Sequence, residues 1–404
     1  MKSISASVFL FVSLVTAAQS QVDKFLSSEI TDTEYIIQKL SADYINEHNF
    51  ASPWLRELDF RVRTGDQETP IDEYRARLGL INPFEIKANS DYAKLLSSQN
   101  AFNREAVIND VLLGRYELIL ENYYLSEMSR LITERIRTFR YLEEISLTGK
   151  VKLDNLIDME ATKTKLLLRQ IELGKKKVFV DKSIQTKTGN AISWEQFNWV
   201  ATEVLIQYCY DLVEAPYLAT IANEQKLELK RQEFKIDKAE AFSNIGFIQG
   251  EYDVTRGNAF NEHLGFQIGV QIPLFNQDKP SLQRKELDMI SAEVKAKTVS
   301  DEEDWEYDKL LSDIESAKQS LEVLINQQVK LSDYKNLAAT VKGEVDIIES
   351  LNDYDFFLSE KFLATVCLIR TKCIQVIHQK GKLFDANGAI NHLSEEAALL
   401  EISK

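Results

Sequence analysis

Side chains that could perform catalysis are few and widely separated in this 404-residue sequence. The histidines stand far apart, at His48, His263, His378 and His392, and no two of them have the spacing of a zinc site. The sequence contains no glycine-rich phosphate-binding loop and no G-x-S-x-G nucleophile motif. Pairs of carboxylates are common, but 63 residues are acidic, so such pairs carry little information. We therefore expect a protein that is not an enzyme and that uses no cofactor or metal ion.

The cysteines and the net charge exclude two further classes of protein. Cys367 and Cys373 lie six positions apart in a helical pattern, which places them on different faces of the helix. With Cys209 the count is odd, and we expect three buried free thiols rather than a disulfide framework. The formal charge of −15 argues against a nucleic-acid partner, because phosphate binding requires a basic surface.

The N-terminus has the three parts of a secretory signal. Lys2 supplies a basic start, residues 6–18 form a short apolar core, and Ala18-Gln19-Ser20 has the small residues of a cleavage site. We interpret residues 1–20 as a cleaved signal peptide; the alternative is a buried N-terminal helix. No later run approaches the roughly eighteen apolar residues that a membrane-spanning helix requires, so any insertion into a membrane would use strands.

A change of period marks the junction of a strand with a long helix. From Leu264 to Ile272 every second residue is apolar, and the alternation stops at Pro273. After Pro280 a charged helical pattern continues without proline or glycine until Gly343. The first half of the chain shows the same order, with two alternating stretches that end at Asn82-Pro83-Phe84.

Two pairs of landmarks indicate an internal duplication. Phe84 and Phe275 are separated by 191 positions, and the glycines that break the two long helices, Gly149 and Gly343, by 194. We predict a signal peptide at 1–20, repeats at 21–193 and 194–380, and a C-terminal tail at 381–404. In the first repeat we predict a lead-in helix, hairpin, long helix and return helix at 22–50, about 54–84, 88–147 and 151–178. The corresponding ranges of the second repeat are 194–241, about 243–275, 281–341 and 345–380.

The long helices are predicted to pack side by side and to make the molecule elongated. A heptad pattern with polar interruptions comprises Leu310, Ile314, Ala317, Leu321, Leu324, Leu331 and Ala338. A less regular stripe in the first repeat comprises Leu113, Tyr116, Leu120, Tyr124, Met128 and Leu131. A helix of about sixty residues would be roughly 90 Å long, which exceeds the size of a compact domain.

The four predicted strands each have one apolar and one polar face. Four strands cannot close a membrane barrel, whereas three copies of the chain would supply twelve. In such a barrel the residues facing lipid would be Leu58, Phe60, Val62, Leu78, Leu80, Leu264, Phe266, Ile268, Val270 and Ile272. The residues lining water would be Glu57, Asp59, Arg61, Arg63, Arg75, Arg77, Glu251, Gln267 and Gln271. A soluble β-sandwich with one solvated face would show the same alternation.

Nearly all of the chain after the signal peptide resembles the TolC family of outer-membrane efflux proteins. The resemblance is carried by the duplicated hairpins, by LGFQIGVQIPLF running into NQDKPSLQRKELDMISAEVKAK, and by KVKLDNLIDMEATKTKLLLRQIE after Gly149. It implies a mainly α fold with two β-hairpins per chain. It also implies a homotrimer in which a twelve-stranded transmembrane β-barrel is continued by a periplasmic barrel of α-helices. The implied function is export of small molecules or proteins, together with a periplasmic adaptor and an inner-membrane transporter.

The same resemblance assigns the helical turns after the long helices to periplasmic tips. The tip residues would be Gly149, Val151, Gly343 and Val345, although Lys150 and Glu344 follow the glycines where the family generally has an apolar residue. Acidic side chains near the tips would form the channel aperture, and the candidates by position are Asp154, Asp158, Asp346, Glu349, Asp353 and Asp355. The alternative for each is a solvated residue at a helix N-terminus, where the helix dipole favours negative charge.

Two alternatives to a transport channel stay open at this point. The first is a periplasmic coiled-coil adaptor or scaffold whose strands form a small soluble domain. Such adaptors usually have a continuous β-rich region, whereas this sequence has a separate hairpin in each half. The second is a TolC-like barrel that has lost transport and has a structural role in the envelope.

Overall fold

A computed structural model of the chain shows a mainly helical protein with two small sheets. It describes residues 21–48, 53–64, 73–148, 153–189, 191–192, 194, 197–241, 245–254, 263–270, 279–340, 345–385, 388–395 and 399–400. The predicted signal peptide and the predicted turn at Gly149 therefore lie outside the described residues, as does Gly343. No helix in the described ranges is long and apolar enough to cross a membrane.

The chain divides into two compact units that interleave in sequence. Unit 1 comprises the described parts of Met1–Tyr35, Glu105–Leu218 and Glu303–Lys404. Unit 2 comprises those of Ile36–Arg104 and Ala219–Glu302. The described ranges contain eight helices: α1 (21–26), α2 (Thr33–Glu47), α3 (Pro83–Thr148), α4 (Leu153–Thr188), α5 (Thr202–Asp211), α6 (Leu218–Ala241), α7 (Lys279–Thr340) and α8 (Val345–Gln379).

Unit 2 contains a four-stranded antiparallel sheet. Its strands are β1 (Leu55–Arg63), β2 (Glu73–Leu80), β3 (Ile245–Asp253) and β4 (Leu264–Val270), paired in the order β1-β2-β3-β4. The two hairpins predicted from sequence are joined into one sheet, because β2 of the first pairs with β3 of the second. Bulges between Leu55 and Glu57 and between Ile245 and Phe247 interrupt the register at the same end of β1 and β3.

Prolines and glycines set several of the helix ends. Asn82 caps α3, since its side-chain oxygen accepts the Phe84 N–H at 3.0 Å, and Pro83 occupies the first turn, where no N–H is needed. Gly189, at a φ of +80°, follows α4, and Gly381, at +64°, follows α8. The left-handed conformation at these two positions favours glycine and allows the chain to leave the helix.

Three predicted boundaries differ from the structure. Helix α4 continues to Thr188 rather than ending at 178, because the helix stop is Gly189. The single helix predicted for 194–241 is two helices, separated at Pro216, which cannot continue a helical hydrogen-bond pattern. The lead-in helix predicted for 22–50 is divided into α1 and α2, and Asp32 caps α2 by accepting the Glu34 N–H at 2.9 Å.

The core of unit 1 combines the long helices with both termini. Much of the predicted heptad pattern of α7 is buried here, including Ile314, Ala317 and Leu321. Apolar residues of α1 pack into the same cluster, and Arg115 holds the following turn by donating to the carbonyl oxygens of Leu26 and Ser28 at 2.6 and 2.9 Å. The predicted tail contributes three short strands, β5 (Phe384–Asp385), β6 (Gly388–Ile390) and β7 (Leu399–Leu400).

Candidate functional site

The strand register of unit 2 places most apolar residues of the four strands on one face. Three rows of cross-strand neighbours cover this face. In strand order they are Leu58, Leu78, Ile248 and Ile268; then Phe60, Ala76, Gly250 and Phe266; then Val62, Tyr74, Tyr252 and Leu264. We call these twelve residues the apolar face. The sequence assigned seven of them to lipid. Alternation within each strand also places Tyr74 and Ala76 with Leu78, and Ile248 with Tyr252; the pairing of β2 with β3 joins these residues into one surface.

The apolar face is exposed within the single chain. Phe266 is 84% and Ile268 71% exposed, and Leu58 and Phe60 are each about two-thirds exposed. Leu78 and Leu80 are half-buried. Val270 pairs with Ile245 at the end of β4, and the predicted lipid-facing Ile272 lies outside the described residues. So large an exposed apolar surface is unfavourable in water and indicates an apolar environment or a partner.

Aromatic residues lie at both ends of this sheet. Tyr74 and Tyr252 are cross-strand neighbours at the end of the sheet where β2 begins and β3 ends. Trp54, directly before β1, and Phe84, in the first turn of α3, lie at the other end, and both are largely exposed. The Trp54 carbonyl accepts the Ile81 N–H at 3.1 Å, which ties the two chain segments together. Aromatic residues above and below an apolar band are typical of strands that cross a membrane.

The opposite face of the sheet is charged, and we call it the polar face. Its described charged residues are four arginines and five carboxylates: Arg61, Arg63, Arg75, Arg77, Glu57, Asp59, Glu73, Glu251 and Asp253. The set includes every described residue that the sequence predicts to line water except Gln267, which is the cross-strand neighbour of Gln249 on the same face. Gln271 lies outside the described residues. Glu73, Gln249 and Asp253 share this face although the sequence did not single them out.

Two of the four arginines on the polar face form ion pairs with neighbouring carboxylates. Arg61 and Arg75 are direct cross-strand neighbours, an arrangement that is unfavourable for two like charges. Each has a carboxylate within reach: Asp59 lies 2.7 Å from Arg61, and Glu73 lies 2.7 Å from Arg75. Glu251 approaches Arg75 at 3.9 Å from the next strand. The face is therefore strongly polar but carries little net charge.

Glycines on the polar face allow neighbouring side chains to lie along the sheet. A Cβ placed on Gly79 would lie 2.7 Å from Cγ of Glu57, and one on Gly265 would lie 2.7 Å from Cγ of Glu251. In both cases the side chain comes from the residue directly opposite the glycine on the adjacent strand. These carboxylates thus cross the neighbouring strand instead of standing upright from the sheet.

One aromatic residue interrupts the polar face. Phe247 lies between Gly79 and Gly269 in its cross-strand row. A Cβ on Gly269 would overlap three atoms of the Phe247 ring, so the ring lies directly over the β4 backbone. The guanidinium carbon of Arg77 lies 3.6 Å from the centre of the same ring, within the range of a cation–π contact. The sequence shows Phe247 only as a break in the alternation of β3.

The predicted tip and aperture residues belong to unit 1 or lie outside the described residues. Gly149, Val151 and Gly343 are among the latter, while Val345 is the first residue of α8. Asp154 and Asp158 are exposed on the first turns of α4, and the side chain of Asp346 is not described. Glu349 has a polar partner, and therefore is not an isolated carboxylate.

Two of the predicted aperture carboxylates form ion pairs within the chain. Asp353 on α8 pairs with Arg135 on α3, whose side chain is almost completely buried and also stacks on Phe139. Asp355 lies 2.8 Å from Lys335 on α7, and both side chains are close to half exposed. These contacts assign Asp353 a role in helix packing and leave Asp355 in a surface pair.

The described residues contain no cluster of histidine, cysteine and carboxylate side chains that could hold a metal ion. All three cysteines are buried, as predicted. Burial raises the pKa of Cys367 to about 12, so this thiol is protonated and unreactive at neutral pH.

Comparison with solved structures identifies the fold. The chain is similar to the Neisseria gonorrhoeae MtrE outer membrane channel, with a TM-score of 0.62 and 12% identity over 90% of this chain and 88% of that one. It is also similar to the outer membrane protein VceC of Vibrio cholerae, with a TM-score of 0.63 and 10% identity over 91% and 96%. A third similar structure is the Campylobacter jejuni CmeC outer membrane channel. Its TM-score is 0.57 and its identity 14%, over 94% of this chain and 87% of that one. No family model and no curated protein matches the sequence. At these low identities the comparison establishes the architecture alone: the chain has the TolC-like fold of outer-membrane channel proteins.

Proposed function

We propose that this protein is a trimeric outer-membrane channel that exports small molecules or proteins as part of a tripartite efflux or secretion system. The observation that carries the proposal is the sheet of unit 2, in which an exposed apolar face lies directly behind a charged one. A soluble protein would cover such an apolar face with another layer. Within the described residues of unit 2 the face stays open, and the fold is that of proteins described as outer membrane channels.

The dimensions of the sheet suit a bilayer. Strands β1 and β3 have nine residues each, and membrane-spanning strands have about nine to eleven when they are tilted. The rows that contain Leu58 and Phe60 lie between aromatic residues, with Trp54 and Phe84 at one end of the sheet and the row that contains Tyr74 and Tyr252 at the other. Lipid tails would contact the rows, and the aromatic rings would lie at the two interfaces.

Closure of the sheet requires further copies of the chain. Strands β1 and β4 are the edges of the sheet, and an edge in lipid would leave backbone groups without hydrogen bonds. Two copies would give eight strands and three copies twelve, both in the range of known barrels. We propose three copies on the strength of the fold, with unit 1 of each contributing helices to a shared tunnel.

Exposed apolar residues on the helices of unit 1 support such assembly. Helix α4 exposes Leu168, Ile171 and Phe179, and helix α7 exposes Val323 and Val329. These side chains are too numerous for the surface of an isolated helical unit, and contacts with a second copy would cover them. The barrel of α-helices and the periplasmic position of the tips form part of this proposal.

The polar face would line the water-filled passage. It would carry four arginines and five carboxylates, so the lining would accept hydrated solutes of either charge instead of selecting one. We propose that cargo enters from an inner-membrane transporter joined to the channel by a periplasmic adaptor. Asp154, Asp158, Asp346 and Glu349 are the acidic residues that would lie closest to the aperture and the adaptor.

The first experiment tests location and assembly. We expect the mature protein in the outer-membrane fraction, as a trimer that resists detergent, and we expect the purified trimer to form conducting channels in planar bilayers. Recovery as a soluble periplasmic monomer would contradict the proposal and would favour the adaptor or scaffold.

A second experiment separates transport from a structural role in the envelope. Cells that lack the protein should accumulate exported dyes or lose a secreted product. A complementing copy carrying the wild-type sequence should restore export. Unchanged export together with a weakened envelope would show that the barrel has a scaffold function instead.

A further inference from the structure

One side chain on the polar face is apolar, although its neighbours on that face are charged or polar. Phe247 is an aromatic residue among arginines, carboxylates and amides, and its ring lies sideways over Gly269 of the neighbouring strand. In its cross-strand row both neighbours of Phe247, Gly79 and Gly269, lack side chains. The ring therefore has room to lie along the sheet on the side of Gly269.

Arg77 holds the ring in this position from the other side. Its guanidinium carbon is 3.6 Å from the ring centre, while its Nε is buried and has no hydrogen-bond partner among the described residues. An arginine nitrogen without such a partner is unfavourable, and the aromatic face compensates part of that cost. Gly269, Phe247 and Arg77 thus form a stack that extends across β4, β3 and β2, parallel to the sheet.

Other glycines of the sheet show that this arrangement is particular to the polar face. Glu57 lies across Gly79 and Glu251 lies across Gly265 in the same manner. On the apolar face a Cβ on Gly250 would be 3.9 Å from the Phe266 ring, which is ordinary contact. Close crossing is thus seen at Gly79, Gly265 and Gly269, on the face that would line the passage, and is not seen at Gly250 on the other face.

We propose that Gly269 sets the bore of the channel, because it lets Phe247 lie flat under Arg77 instead of projecting into the passage. This inference rests on the proposed channel function and adds a specificity-determining position to it. With a side chain at position 269 the ring would have to rotate away from the sheet. In a symmetric assembly every copy would then place a phenyl ring in the lumen at the same height.

The test compares single-channel conductance and the size of polyethylene glycol that the channel admits. Gly269→Ala should lower both, and the double variant Gly269→Ala with Phe247→Ala should restore them. Phe247→Ala alone should change conductance little, because a ring that lies flat occupies little of the lumen. Gly250→Ala is the matched control, since its added methyl group meets only ordinary contact on the other face, and it should behave as the wild type.

Each outcome is informative about Gly269. Wild-type conductance in Gly269→Ala, or a reduced conductance that the double variant fails to restore, would overturn the inference. If Gly269→Ala does not assemble into trimers, the conductance of Phe247→Ala tests the inference instead. A large rise in that conductance would show that the wild-type ring already projects into the lumen, and would overturn the inference. Absence of channels in the wild type would instead refute the proposed function itself.

Discussion

At the scale of single residues, His392 is a buried histidine in an environment that disfavours its charge. Its Nε2 lies 2.9 Å from the Lys382 carbonyl oxygen, and its ring lies beside those of Tyr116 and Tyr208. Burial lowers the pKa of His392, and the hydrogen bond to the carbonyl offsets only part of this effect. The folded state therefore keeps His392 neutral to a lower pH than the unfolded chain does.

This difference predicts a loss of stability in mild acid. Since the unfolded histidine has a pKa of about 6.5, His392 contributes its full stability above that pH. The contribution declines as the pH falls toward the lowered folded pKa, by at most about 1.4 kcal/mol per pH unit. The apparent melting temperature of the detergent-solubilised protein should fall between pH 7.5 and 5.5, and this decline should be smaller in His392→Gln.

The exposed His48 provides the control for this prediction, and His48→Gln should keep the wild-type pH dependence. Asp23 is a half-buried carboxyl group that accepts a hydrogen bond from Asn391, and burial raises its pKa. A raised carboxyl pKa contributes stability that is lost as pH rises, the opposite direction. An equal pH dependence in wild type and His392→Gln would show that His392 is not the responsible group.

Phe247 illustrates what single residues of the sequence could not reveal about the site. The alternation of apolar and polar positions assigned most residues of β1, β2 and β4 to a face. In β3 the alternation is regular from Ile248 to Asp253, but Phe247 is an apolar residue at a position of the polar face. The contact of Phe247 with Gly269 and Arg77 depends on which strands are neighbours, and that information is not local in the sequence.

At the scale of elements, the sequence predicted the kinds of helix and strand better than their ends. The end of α4 was missed although Lys187 and Gly189 form a standard helix stop. The division between α5 and α6 was missed although Pro216 lies between them. Both signals are local and could have been used. The joining of two hairpins into one sheet could not, because it pairs strands that are distant in the chain.

A glycine that follows α8 and a glycine within α4 predict substitutions with effects of opposite sign on stability. Gly381 has a φ of +64°, and a Cβ there would lie 3.0 Å from Leu218 Cδ1. Gly381→Ala should lower the free energy of unfolding by about 1–2 kcal/mol, because the left-handed conformation is unfavourable for alanine. Gly174 lies within α4 with no atom near its missing Cβ, so Gly174→Ala should raise stability by up to about 1 kcal/mol. Thermal unfolding measures both; a stabilising Gly381→Ala would contradict the capping role.

The ion pairs of α8 predict that substitution of two neighbouring carboxylates, Asp353 and Asp355, reduces stability by different amounts. Asp353→Asn would leave the buried guanidinium of Arg135 without its anionic partner and should cost about 1–3 kcal/mol. Asp355→Asn breaks a half-exposed pair with Lys335 and should cost less than about 1 kcal/mol. Denaturation measures the difference. If both variants keep wild-type stability but raise conductance, these residues line the aperture, as the sequence predicts, instead of fixing the helices.

At the scale of the whole molecule, the sequence predicted more of the fold than of the function. Hairpins, long helices and their order predicted the resemblance to TolC, and comparison with solved structures confirms the fold although the identity is only 10–14%. Such a fold depends on periodicity and on turn positions, which many sequences can satisfy. Cargo and partners depend on individual side chains at surfaces that a single chain leaves open, so they remain proposals.

The two faces of the sheet make the membrane proposal testable with adjacent residues. Phe266 is the most exposed residue of the apolar face, and Gln267, the next residue of β4, lies on the polar face. An arginine on the lipid side of a membrane strand costs about 2–4 kcal/mol near the bilayer centre, whereas an arginine in a polar lumen adds positive charge without this cost.

Phe266→Arg should therefore reduce the amount of trimer in the outer membrane, and Gln267→Arg should assemble normally and shift ion selectivity toward anions. The amount of heat-modifiable trimer and the reversal potential in a salt gradient measure the two effects. If Phe266→Arg assembles normally and Gln267→Arg does not, the proposal is contradicted. In that case the polar face would contact lipid and the apolar face would line the passage.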